Sequence, residues 1–288
     1  MMEAYEFPLV IFTVLSQWAV GIVLAVVLLE WLKPKFMNSF GKKVLKAPIL
    51  ASFLLSVIAA LTSMFHLNNP FKSYTSLLGS SHSWLSREII TVLIFNAFLL
   101  LLTYVWWKKA ESTSMRKGLG TVTAVFGILM VISSATVYFS IPLHPTWHNW
   151  TTYANFLLTG LLLGALTVVY FALKGKDEER DSSVVRILGI YLALIIFALI
   201  ATIGAFALIS SGAEESQFAA TISFTSILFW IRIFGSLLIP TSLVIIFMFG
   251  KKMISLNYVL AATFLVLLGE VSGRMIFYSS VMSQYPWF

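Results

Sequence analysis

The feature that most constrains this chain is the recurrence of long apolar runs, each ended by charges, proline, glycine or a polar cluster. A helix needs roughly 20 apolar residues to cross the hydrocarbon core of a bilayer. Eight runs are of about that length or longer: Pro8–Leu32, Val44–Phe65, Ile89–Trp107, Leu119–Ile141, Tyr153–Leu173, Val184–Ile209, Thr225–Phe249 and Met253–Tyr278. The 288 residues are 59% hydrophobic and only 11% charged, far from the roughly 25% charge of a soluble domain. A backbone surrounded by lipid must satisfy its own hydrogen bonds, which runs like these do as helices. The expectation is an all-α integral membrane protein, an eight-transmembrane-helix bundle forming one transmembrane domain over residues 1–288. The first run is not a cleavable signal, because it lacks a basic segment and follows Glu3 and Glu6.

The basic residues orient the bundle. Lys33, Lys35, Lys42, Lys43 and Lys46 lie between runs one and two, and Lys108, Lys109, Arg116 and Lys117 between three and four. Lys174, Lys176, Arg180 and Arg186 lie between five and six, and Lys251 and Lys252 between seven and eight. Fifteen of the 19 Lys and Arg residues thus sit on one side, against Lys72 and Arg87 on the other. The positive-inside rule then places both termini on the periplasmic side of a bacterial inner (cytoplasmic) membrane. The net charge of +7 is in this reading a topology signal, and no nucleic acid partner is expected.

What remains polar inside the runs is sparse and therefore informative. Arg232, Glu270 and Arg274 fall in the outer halves of the last two helices, with Glu270 and Arg274 spaced for an i,i+4 ion pair. His66 ends the second helix and Glu88 opens the third, at the same outer depth. His82, His144 and His148 read as interfacial loop residues, Glu30 as a solvated helix end, and Gly160–Gly164 as close packing within the bundle. Five separate regions send polar groups to one membrane depth. The absence of cysteine excludes disulfides, zinc thiolates and protein-ligated iron–sulfur clusters. No histidine lies on the inner side, which excludes a transmembrane haem pair, and no phosphate loop or dinucleotide fingerprint occurs. Such a protein can bind an amphipathic molecule and move protons near the outer face, with no metal expected.

Several strings carry a likeness to one family: FPLVIFTVLSQ (Phe7–Gln17), SMFHLNNP (Ser63–Pro70), Tyr74–Leu77, LSREI (Leu85–Ile89) and GEVSGRMIFY (Gly269–Tyr278). With eight spans, the chain resembles the membrane-anchor subunit of the dimethyl sulfoxide reductase family, a relative of polysulfide-reductase-type quinol anchors. The resemblance implies a haem-free anchor that oxidises menaquinol near the periplasmic face. It implies partners too: an iron–sulfur subunit that takes the electrons and a molybdopterin catalytic subunit that reduces dimethyl sulfoxide or a related S- or N-oxide. It marks His66 and Glu88 as the catalytic pair of the quinol site, with Glu270 and Arg274 matching its C-terminal pattern. Arg232, at the same depth, joins these four as a quinol-binding candidate. One departure is visible, Asn68–Asn69 standing where the family has Gly-Ser; asparagine tolerates the left-handed backbone such a turn needs. Alternatives are the anchor of a polysulfide- or thiosulfate-type reductase, a purely structural anchor, and a secondary transporter. A transporter typically holds its charges at the midplane of repeated halves, unlike the off-centre charges here.

Overall fold

The computed structural model describes residues 6–64, 83–174, 182–210, 217, 221, 223–249 and 255–282, with no account of the side chains of 182, 281 and 282. Eight helices long and apolar enough to cross a membrane follow one another. They are α1 (Phe7–Leu32), α2 (Lys46–Met64), α3 (Trp84–Lys108), α4 (Thr113–Phe139), α5 (Thr151–Leu173), α6 (Ser182–Ile209), α7 (Ile227–Phe249) and α8 (Leu256–Met282). The described connections 33–45 and 109–112, which carry lysines, lie at one end of the bundle, here the basic end; residues 6 and 282 lie at the far end.

The helices pack as two successive rings of four. Helices α1 to α4 close a cycle, each touching the next and α4 returning to α1; α5 to α8 do the same. The rings meet where α1 lies along α5, with further contacts of α4 on α5 and α1 on α8. In the most apolar window of each helix, α1 is 72% and α5 78% buried, against 22% for α7. The outer helices keep their apolar side chains for lipid. At the seam a methyl group on Gly21 or Gly164 would collide with the backbone of the facing helix, and one on Gly160 with the Gln17 carbonyl. Small residues there let two backbones touch, so Gly160 and Gly164 serve packing within the bundle, as their spacing indicates.

Proline and π-helical turns shape two places. In α7 the turn Ile233–Leu238 is π-helical and runs directly into Pro240. Proline lacks an N–H and crowds the carbonyl four residues back, and a wider turn relieves that conflict. The same turn sets Gly235 and Ser236 against Gly269 of α8. A second π turn, Met37–Gly41, lies in the short helical stretch between α1 and α2.

One charge behaves differently from its expectation. Glu30 is not a solvated helix end but is 1% exposed, and Arg116 donates from Nε to its Oε1 at 2.6 Å. Helix α4 begins at Thr113, before its apolar run, so Arg116 sits in its first turn facing α1 rather than in a loop. Its other nitrogens donate to Asn38 Oδ1 at 2.8 Å and to the Ala110 carbonyl, while Trp106 presents its ring 5.5 Å away. The polar groups of Arg116 are thus all engaged inside the protein.

Candidate functional site

Three of the five candidate residues meet around one cavity in the far-end half of the second ring. Arg232 comes from α7, just before its π turn, and Glu270 and Arg274 from successive turns of α8. Glu270 is fourteen residues past Leu256, about 21 Å along the axis from the basic end. The cavity measures about 70 Å³, room for several water-sized groups. One side of it is polar, with Asn155, Thr159 and the three charges; Phe206, Phe224, Phe229 and Phe277 form much of the rest.

The expected i,i+4 ion pair between Glu270 and Arg274 is not made. The two ion pairs among the described residues are Lys42–Glu111 and Arg116–Glu30. Arg274 instead reaches α1, donating from Nη2 to Gln17 Oε1 at 2.9 Å, with its guanidinium 3.8 Å above the Phe156 ring. Glu270 turns toward α5 and accepts from the Thr159 hydroxyl at 2.6 Å. That hydroxyl lies 3.5 Å from Arg274 Nη2 and so stands between the two charges. Arg232 Nη2 donates to Asn155 Oδ1 at 2.8 Å. Its side chain runs over Gly273, where any Cβ would lie 2.6 Å from Arg232 Cδ and Nε. A Cβ at that position would push the arginine off this path.

Several buried polar atoms here have no hydrogen-bond partner: Glu270 Oε1, Arg232 Nε, Arg274 Nε and Gln17 Nε2. Buried polar groups in folded proteins are nearly all paired. A cluster of unpaired atoms with both donors and a carboxylate oxygen fits a polar ligand that donates and accepts.

Glu88 is buried at 5% exposure in the second turn of α3 and does not line this cavity. The Ser134 hydroxyl of α4 lies beside it, and Glu88 Oε1 is also unpartnered. Glu88 is within electrostatic reach of Tyr138 of α4 and Tyr278 of α8, whose hydroxyls are hydrogen-bonded at 2.9 Å. Tyr278 is one turn beyond Arg274. The tyrosine pair thus connects the surroundings of Glu88 with those of Arg274 across the two rings. Trp147, Phe156 and Phe277 pack around Tyr138 at ring distances of 5.1, 5.7 and 5.4 Å, and Trp147 donates to the Phe277 carbonyl at 2.8 Å.

His66 and His82 lie outside the described residues. His144 and His148 occupy the connection between α4 and α5, as expected of loop residues: His148 stacks on Phe139 at 4.7 Å and His144 meets Trp147 edge-on at 5.1 Å. Partial burial holds the His144 imidazole below its ordinary range. Among the described residues no group of three metal-ligating side chains occurs.

Asn155 and Thr159 line the cavity and Gln17 holds Arg274 from α1, and all three escape a search for ionisable residues. Gln17 carried a signal: an uncharged amide in an otherwise apolar run must find a partner in lipid. Tyr138 and Tyr278 carried none, since tyrosines near a membrane interface are ordinary.

The comparisons with known proteins agree with this architecture. The model of the family described as DMSO reductase anchor subunit (DmsC) matches residues 1–280. The chain belongs to the DMSO reductase anchor subunit family. It is similar to the anaerobic dimethyl sulfoxide reductase protein YnfH of Escherichia coli, 28% identical over 97% of this sequence and 96% of that one. The C subunit of the anaerobic dimethyl sulfoxide reductase of Haemophilus influenzae is 33% identical over 62% of this sequence and 61% of its own length. The corresponding C subunit of Escherichia coli is 34% identical over 60% of each. The protein is therefore a multi-pass anchor subunit of the inner membrane, a component of an oxidoreductase complex of anaerobic respiration.

Proposed function

We propose that this anchor oxidises menaquinol at the far end of the bundle and delivers the electrons to an iron–sulfur subunit docked there. That subunit would feed a molybdopterin subunit reducing dimethyl sulfoxide or a related S- or N-oxide. The reading takes the far end, with both termini, as periplasmic, in keeping with the lysines at the other end. The observation that carries it is the cluster of unpartnered buried polar atoms on Glu270, Arg232 and Arg274 around one partly aromatic cavity.

A quinol gives up two electrons and two hydroxyl protons. In this reading His66 accepts a hydrogen bond from one hydroxyl and takes its proton as base, since an imidazole titrates near working pH. Glu88 takes protons onward to the far surface. Arg232, Glu270 and Arg274 bind and orient the headgroup through the donors and the carboxylate oxygen they leave open. A cysteine-free protein has no thiolate-ligated cluster of its own. The quinol must then react close to the partner's first cluster, on the same face.

The test is quinol-dependent turnover in membranes holding the assembled complex. His66→Ala is expected to abolish turnover with menaquinol while reduction by an artificial donor to the partner subunits is unchanged. Oxidation of menaquinol at the parental rate by that variant would overturn the site.

A further inference from the structure

At the basic end, on the lipid-facing side and remote from the cavity of the proposed quinol site, a groove of about 410 Å³ runs between α2 and α3. Leu50 and Phe53 form one wall, and Leu100, Tyr104 and Trp107 the other, with Lys108 at its end. The α3 wall is open: Leu100, Tyr104 and Trp107 are 52%, 53% and 56% exposed.

Helical spacing puts a second lysine, Lys46, on the α2 face that bears the groove, one turn beyond the residues that line it. Lys46 is one turn before Leu50 and two before Phe53, hence on the α2 wall. Lys108 is one turn past Tyr104 on the α3 wall. The helices run antiparallel, so both lysines stand at the same membrane depth. Neither forms an ion pair among the described residues. Their surroundings are mostly positive, with Lys43 and Lys109 exposed nearby; the acid there, Glu111, lies within electrostatic reach of Lys46 but is held by Lys42 at 2.5 Å. Lysines can extend their ammonium groups to the interface from an apolar wall, and tyrosine and tryptophan rings favour headgroup level.

We infer that this groove binds an anionic phospholipid, one acyl tail lying between the α2 and α3 walls and the phosphate between Lys46 and Lys108. An apolar trough that opens to lipid and ends in two cations matches such a molecule in both parts. A transmembrane helix of a partner would match only the first, and would cover two lysines that make no ion pair among the described residues. The inference stands apart from the quinol reading.

The whole complex is reconstituted in nanodiscs of phosphatidylcholine with a minor share of phosphatidylglycerol, and the lipids retained after purification are weighed by native mass spectrometry. The expected preference for phosphatidylglycerol is roughly thirtyfold, the sum for two lysines near an anionic surface. Lys46→Gln with Lys108→Gln should lower the preference to near the disc composition, with thermal unfolding in pure phosphatidylcholine unchanged. Leu50→Trp fills the trough with both lysines intact and should release the lipid outright, which keeps the test decisive if the lysine variants fold poorly. Equal phosphatidylglycerol retention by parent and variants overturns the inference. So does a photo-crosslinker at position 104 that captures a partner subunit in place of lipid.

Discussion

The two buried clusters of charge among the described residues are built in opposite ways. At the basic end Glu30 and Arg116 touch at 2.6 Å, and Asn38, Ala110 and Trp106 take up the rest of the guanidinium. At the far end Arg232, Glu270 and Arg274 share a cavity without one direct ion pair, each held by a neutral side chain: Asn155, Thr159 or Gln17. Arg116 is left with nothing to offer a ligand, and the one unpartnered atom of the pair is Glu30 Oε2, a single carboxylate oxygen with no free donor beside it on Arg116. The far-end three line a common cavity and each keeps an unpartnered atom. Burial of charge alone therefore does not single out a candidate site; several charges held by neutral partners around a shared cavity, with donors and an acceptor to spare, do.

The largest effect should come from opening the closed cluster. Arg116→Ala leaves Glu30 charged and unpaired, a change worth about 3–5 kcal/mol where one member of a buried pair is removed. The expected result is little assembled complex in the membrane, and substantial recovery when Glu30→Leu is added. Normal yield of the single variant would show the pair to be dispensable.

The open cluster should respond in activity and not in yield. Glu270→Gln keeps the oxygen that accepts from Thr159 and removes only the charge. Parental amounts of complex are expected, with quinol-site inhibitor binding weakened roughly tenfold to a hundredfold, the range for a hydrogen bond to a charged group. Loss of the protein itself would place Glu270 with Glu30, as structure.

The smallest effect concerns pH at the rim of the far end. His144 has its pKa lowered by burial from 6.5, so a loosened loop binds its proton more readily than the packed one. The loop's stability is then fully present above about pH 6.5 and declines as the pH falls below it. Amide exchange in residues 140–150, corrected for intrinsic rates, should rise on acidification to about pH 5. A flat profile in the loop would remove His144 as its cause.

Reading the residues in order was enough for some of this and not for the rest. Eight apolar runs can only become eight helices in lipid, because no other open structure satisfies their backbone there. Gly160 and Gly164 gave away a close helix contact by spacing alone. Arg232, Glu270 and Arg274 stood out because ionisable groups in a membrane are costly enough to need a reason. The helix starts were less legible: α4 begins at Thr113, ahead of its apolar run, and that shift turned Arg116 from a loop charge into the partner of Glu30.

What the linear order determined by itself is thus the number of spans, their class and which ionisable residues fall within them. These follow from how many apolar residues a bilayer demands and from the fixed rise of a helix. Which charges pair was decided only in three dimensions. Glu270 and Arg274 are ideally spaced along α8, yet Thr159 of α5 and Gln17 of α1 claim them separately. Spacing on one helix says which side chains can meet. The neighbouring helices, brought within backbone contact at Gly21, Gly160 and Gly164, supply nearer partners, and in a medium without water the nearer partner takes the bond.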